Sequence, residues 1–92
     1  MKATVVGLVT PHLLRVVDLA TKAEQAANVD WHVRDTVTKT MAELSDQYNA
    51  AALVTAYIDG LESAAGQAPR ARTEYIRVLQ AAVTTARALA RH

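Results

Sequence analysis

The residues best suited to chemistry in this chain are the arginines near its C-terminus. Residues 70–92 contain five Arg and one Glu, which gives this segment a formal charge of +4. A guanidinium is a planar group that holds a carboxylate or a phosphate through two parallel hydrogen bonds. The segment therefore offers a docking surface for an acidic partner or a contact surface for nucleic-acid phosphates.

Four of these arginines fall on one side of the helix expected at residues 70–90. Placed at about 100° per residue, its polar arc comprises Arg70, Thr73, Glu74, Arg77, Gln80, Thr84, Arg87 and Arg91. We take Arg70, Arg77, Arg87 and Arg91 as the candidate binding face, and call it the Arg face. The plainer interpretation is that these side chains stay solvated or pair with carboxylates, namely Asp46, Asp59 and Glu62.

The sequence supplies little else for catalysis or metal binding. There is no cysteine, and His12, His32 and His92 do not have the spacing of metal ligands. Ser45 stands beside Asp46, where a helix cap explains it better than a nucleophile does. The glycines are isolated, so there is no phosphate-binding loop. We therefore predict no catalytic, cofactor-binding or metal-binding residues, no small-molecule substrate, and a protein that is not an enzyme.

Trp31 is the one tryptophan, and it stands at the expected start of a helix. Tryptophan is enriched among the residues that dominate binding energy at interfaces, so Trp31 is a candidate anchor for a partner. The plainer interpretation, which we prefer from the sequence, is that it plugs one end of a small helical bundle.

The elements that must position these residues form a single short domain. A chain of 92 residues has a marginal core, and disulfides cannot reinforce this one. Alanine provides 19 of the apolar residues and phenylalanine none, so Leu and Val must build a thin core between closely packed helices. Self-association, or binding to another protein, is a common remedy for such a core.

The apolar pattern indicates where the first two helices lie. Thr10 and Pro11 suit a cap and a first helical position, which leaves residues 1–9 as a flexible or helical arm. This helix should end near residues 27–28. Asp30 is the expected cap of the second helix, whose apolar stripe consists of Val33, Val37, Met41, Leu44 and Tyr48.

After Asn49 the larger apolar residues point to the opposite side from this stripe: Leu53, Val54, Tyr57, Ile58 and Leu61. This reversal predicts a break at Ser45–Asp46, with one of these two residues capping a third helix. A continuous helix over residues 31–62 that changes partners midway is the alternative. The third helix should end near Ala65, weakened by Gly60. The last helix should run from Arg70 to Ala90. Its buried face would consist of Ala71, Tyr75, Val78, Leu79, Ala82, Val83, Ala86 and Leu89.

These patterns predict an all-α bundle of three or four helices that homodimerisation could complete. The function that fits best is a non-enzymatic interaction or assembly protein, acting through helix packing and the Arg face. The alternative is a nucleic-acid-associated small subunit, of the DNA-packaging or regulatory type, whose Arg face contacts phosphates. No apolar run reaches 18 residues, so we expect no membrane association and a cytoplasmic location.

Overall fold

A computed structural model of the chain describes residues 4–25 and 28–91 and confirms the all-α bundle. Four helices pack around one core within these ranges: α1 (Val5–Ala23), α2 (Asp30–Ser45), α3 (Ala50–Gln67) and α4 (Thr73–Ala90). Short connections join them, so the bundle runs up, down, up and down. None of the helices in the described ranges is long and apolar enough to cross a bilayer.

The first helix begins earlier than the sequence indicates. Thr4 is its N-cap, and the Thr4 hydroxyl accepts a 2.9 Å hydrogen bond from the backbone N–H of Gly7. The expected start at Thr10–Pro11 is therefore wrong, and Pro11 lies inside the helix, where it cannot donate to the carbonyl four residues earlier. Burial of Val9 and Val16 on either side of Pro11 outweighs this loss. The expected end near residues 27–28 is also wrong, because α1 ends at Ala23 with Glu24 as its C-cap; residue 27 itself lies outside the described residues.

The start of α2 also differs from the expectation. Val29 occupies the cap position without a side-chain hydrogen bond, and Asp30 is the first helical residue. The prediction that Asp30 caps the helix is wrong, although its carboxylate still lies in the first turn, next to the positive end of the helix dipole. Asn28, two residues before Asp30, has a φ of 51°, a left-handed conformation that Asn tolerates well.

The break between the second and third helices is confirmed. α2 ends at Ser45, four residues form a turn, and α3 starts at Ala50. Neither Ser45 nor Asp46 caps α3, because Asn49 holds the cap position without a side-chain hydrogen bond. Since the chain leaves the helical path at residue 46, Tyr48 is carried away from the buried stripe. Its placement in the core is wrong, because Tyr48 is 99% exposed.

The last two helices are placed as expected, with shifts at their ends. α3 continues to Gln67, and α4 begins at Thr73 because residues 69–72 form a turn closed by the Arg72 N–H and the Pro69 carbonyl. Ala71 therefore precedes the helix and is exposed, and Leu89 near its end is also exposed. The other members of the expected face, Tyr75, Val78, Leu79, Ala82, Val83 and Ala86, are buried or half-buried.

The core lies along the contacts of α4 with all three other helices and of α1 with α3. The largest fully buried side chains are Tyr57, Leu61 and Leu79. Gly60 faces Leu13 so closely that a Cβ at this position would lie 2.6 Å from a Leu13 methyl group. Gly60 thus does more than weaken α3, since it lets α1 pack on the α3 backbone. The contact between α1 and α2 is less extensive than those of α4 with the other helices and of α1 with α3.

Candidate functional site

The Arg face is divided between ion pairs and helix ends. Arg77, near its centre, donates from Nε to Glu74 at 2.6 Å and lies 3.1 Å, through Nη1, from an oxygen of Asp30. The hydrogen bonds that Arg77 donates, first to Glu74 and then to Asp30, raise the pKa of Arg77 above its usual range. Arg77 therefore joins the start of α4 to the start of α2.

The other three arginines of the Arg face lie apart from Arg77 and its carboxylate partners. Arg87 pairs with Glu62 and links α4 to α3, which is one of the pairings that the sequence offered. Arg70 lies in the turn before α4, and Arg91 is the residue that ends it. Two of the four guanidiniums thus have carboxylate partners, which offset part of the positive charge of the Arg face.

Trp31 does not plug the bundle. It is 63% exposed, and its ring lies 3.6 Å from the ring of His32, tilted by 31°. The second position of α2 turns its side chain outward, because the buried stripe of that helix begins two residues later at Val33. Trp31 therefore has the exposure that an anchor requires, at the end of the bundle where α1 connects to α2.

A pair of charged residues at this same end is absent from the sequence-based predictions. Arg72 makes two hydrogen bonds to the carboxylate of Glu24, at 3.1 and 2.5 Å, and its guanidinium lies 3.9 Å over the ring of Tyr75. The hydrogen bond from Arg72 lowers the pKa of Glu24. The partners are 48 residues apart, so no helical spacing could reveal them. We call this pair the clasp, and its end the clasped end.

Tyr57 is the one buried side chain in the described ranges whose polar atom lacks a hydrogen-bond partner. It points from α3 into the core, and burial raises the pKa of its hydroxyl, against the opposing influences of Thr40 and Arg15. The Tyr57 side chain has no exposed surface. Since it is fully enclosed, Tyr57 offers no surface to a ligand.

The opposite end of the bundle holds a cleft between α1, the end of α2 and the start of α3. We call this region the open end, comprising Leu8, His12, residues 43–49 and Leu53. The cleft measures about 260 Å³, and its apolar lining is Leu8, Leu44, Tyr48 and Leu53. Glu43 and His12 contribute its charged and titratable groups. Leu44 and Leu53 belong to the core, so the cleft reaches the edge of the buried interior.

Exposed apolar side chains continue from the open end along α1. Val6 and Leu14 are 66% and 60% exposed, and Leu8, at the cleft, is 45% exposed. Val6 and Leu14 are eight residues apart, so they lie on one side of the helix about two turns from each other. Residues 4–14 contain no Asp, Glu, Lys or Arg. The first half of α1 is therefore an uncharged surface with large apolar side chains facing solvent.

The described residues contain no group of three His, Asp or Glu side chains placed to hold a metal ion. Another cleft among the described residues is lined by Leu19, Lys22, Gln25, Val29 and His32. No family model, no curated protein and no solved structure matches this chain. Any functional conclusion therefore depends on the geometry alone.

Proposed function

We propose that this chain is a protein-interaction domain that assembles through the open end and the adjoining uncharged surface of α1. The observation that carries the proposal is the exposure of Tyr48, which presents a whole aromatic side chain to solvent beside a cleft of mixed apolar and polar lining. A single exposed Leu or Val is ordinary on a protein surface. Tyr48 and Leu8 border one cleft, and the uncharged segment of α1 that carries Leu8 also exposes Val6 and Leu14. Several large exposed apolar side chains in one region of a small domain are typical of an interface.

The residue types at the open end support this proposal. Tyrosine buries a large area at little conformational cost and is enriched where partners bind tightly. The depletion of charge along residues 4–14 matches the composition of interface centres. The core is small and built largely from Val, Leu and Ala, so the bundle gains from any partner that covers further apolar surface.

The Arg face supports the alternative function less well. A nucleic-acid contact surface needs cations that remain available to phosphates. Arg77 already has two carboxylate partners and Arg87 has one. These pairs lower the positive potential that would attract a phosphate backbone. We therefore keep helix packing as the mode of interaction and move the docking surface from the Arg face to the open end.

A photo-activated cross-linker tests the proposal in the cells that naturally make the chain. A photoreactive phenylalanine analogue replaces Tyr48 in one full-length variant and Trp31 in a second one. Both positions are aromatic and well exposed, but they lie at opposite ends of the bundle. We expect illumination to attach a protein, identified by mass spectrometry, to position 48 and not to position 31.

Two results would contradict the proposal. Position 48 without any protein adduct would remove the open end as a docking surface. Adducts only at position 31 would assign the interaction to Trp31 instead. A companion measurement follows the anisotropy of labelled duplex DNA with the purified chain, where we expect no binding. Binding that weakens steeply with added salt would favour the nucleic-acid alternative.

A further inference from the structure

We infer that the occupant of the open end is a second copy of this chain, related by a two-fold axis that passes close to Tyr48. This inference rests on the proposed function and names its partner. A two-fold interface uses the same patch on both copies, so the patch must contain both a projection and a recess that fit each other. The open end meets that requirement within a single chain.

The projection is Tyr48 and the recess is the cleft beside it. The Tyr48 side chain is free of contacts that would hold it on its own chain, as its 99% exposure shows. The cleft next to it is lined by Leu8, Leu44 and Leu53 and has about 260 Å³ of space. When two copies meet at this end, the two Tyr48 rings pack near the axis, an arrangement that aromatic pairs favour. Each ring then covers the cleft of the other copy.

The available area is sufficient for a weak dimer only. The bundle measures 38 × 27 × 18 Å, so its end presents roughly 490 Å² (27 × 18), below the 800 Å² or so that each partner of a typical complex contributes. The outer side of α1 from Val5 to Leu14 adds roughly 150 Å², from ten residues of helix about 10 Å wide. Both copies together bury roughly 1,300 Å², at the lower limit for a specific interface. The dimer should therefore dissociate on dilution.

The charges at the open end give the dimer a distinctive response to salt. Glu43 lines the cleft and Asp46 lies in the turn two residues before Tyr48, and both are exposed. Two-fold pairing brings these carboxylates close to their copies, where they repel each other. Salt screens that repulsion and leaves the apolar contact unaffected. The dimer should persist or strengthen as salt rises, whereas a complex held by the Arg face and an acidic partner would weaken.

The test is sedimentation of the purified full-length chain over a dilution series at low and high salt. We expect the average mass to rise from monomer to dimer with concentration at both salt levels. Tyr48→Ser should raise the dissociation constant at least about tenfold, as the loss of an interface anchor does. Leu14→Ser should raise it by a smaller factor. Trp31→Ser, matched in exposure but located at the clasped end, should leave it unchanged.

Each contrary result overturns a definite part of the inference. A natural chain that stays monomeric at every concentration, while position 48 still cross-links to a different protein, refutes the second copy and leaves the proposed function standing. A dimer that Tyr48→Ser and Leu14→Ser leave intact refutes the open end as its interface. A dimer that dissociates as salt increases assigns it to ion pairs instead. Tyr48 and Leu14 are exposed, and unchanged helical circular dichroism of both variants confirms that folding is preserved.

Discussion

The two ends of the bundle are built from different interactions. At the clasped end, Arg72 reaches from the α3–α4 connection to Glu24 after α1, and Arg77 joins α4 to Asp30 at the start of α2. At the open end, the α2–α3 turn is held by backbone hydrogen bonds and carries Tyr48 into solvent. The clasped end pairs Arg72 and Arg77 with carboxylates of other segments and exposes one large apolar side chain, Trp31, whereas the open end leaves Tyr48 and Leu8 exposed beside a cleft.

The two ends therefore differ in how much they would gain from a partner. Exposed ion pairs stabilise a fold only slightly, but they satisfy the groups that they join and leave nothing for another molecule to bind. Exposed apolar surface behaves in the opposite way, because covering it is favourable wherever the cover comes from. The contrast between the ends is therefore testable by variants that alter the shared core, the helix contact, the clasp and the open end in turn.

The largest effect should come from the core that both ends share. Leu79→Ala removes a fully buried side chain of α4 and should destabilise the chain by about 2–5 kcal/mol, since it leaves a cavity. Urea unfolding followed by circular dichroism measures this change. A loss below about 0.5 kcal/mol, the level of a surface substitution, would show that the buried face of α4 is wrongly assigned.

The close contact between α1 and α3 should give the next largest effect. Gly60→Ala places a methyl group against Leu13. Such overpacking costs about 1–3 kcal/mol, against a gain of up to about 1 kcal/mol in helix propensity. We expect a net destabilisation of about 1–2 kcal/mol by these two contributions. Thermal and urea unfolding both measure it.

Gly66→Ala is the matched control for this substitution. Gly66 belongs to the same helix, and nothing lies within 4 Å of an added Cβ. This variant should therefore be stabilised, by about 0.4–1 kcal/mol. Equal gains in stability for both variants would show that α1 and α3 are not in close contact at Gly60.

The clasp should contribute less, and its contribution should depend on pH. The pKa of Glu24 is lowered in the folded chain, chiefly by its hydrogen bond to Arg72. The stabilisation that the clasp provides is therefore complete above the pKa of Glu24 in the unfolded chain, about 4.3. It is lost as the pH falls through the lower pKa that Glu24 has in the folded chain. Glu24→Gln should be slightly less stable than the natural chain at pH 7 and equally stable once the pH lies below that value.

Unfolding curves at several pH values provide this test, with Asp35→Gln as the control. Asp35 forms an exposed pair with Lys39 within α2, so its replacement leaves the clasp intact. A stability difference between the Glu24→Gln variant and the natural chain that does not change with pH would show that the clasp is not an ion pair in solution.

The smallest effect on stability should come from Tyr48, the residue on which the proposed association depends. Because Tyr48 is exposed, Tyr48→Ser should change the free energy of unfolding of the monomer by less than about 0.5 kcal/mol. Unfolding at the lowest usable protein concentration isolates the monomer from the dimer. A loss above about 1 kcal/mol would mean that Tyr48 packs on its own chain, and the two ends would no longer differ in kind.

Local patterns predicted much of the fold and little of the candidate site. The 3- and 4-residue spacing of Val33, Val37, Met41 and Leu44 identified the buried face of α2, and the reversed stripe beyond it identified the break. Helix ends were less accurate, because Pro11 is a signal for a helix start that tertiary burial overrode. Tyr48 was wrongly placed in the core because its spacing continues the apolar stripe of α2, although α2 ends before it at Ser45.

The class of structure follows from the sequence alone, since repeated apolar spacing favours amphipathic helices wherever they finally pack. The uncharged first half of α1 and the excess of arginine near the C-terminus also follow from the sequence. The pairing of the arginines depends on the tertiary fold, because the packing of four helices brings Glu24 and Arg72 together. The tertiary fold alone places Tyr48 and Leu8 around one cleft. Contacts between distant parts of a chain depend on how helices pack, whereas helical periodicity indicates only which face of a helix is buried.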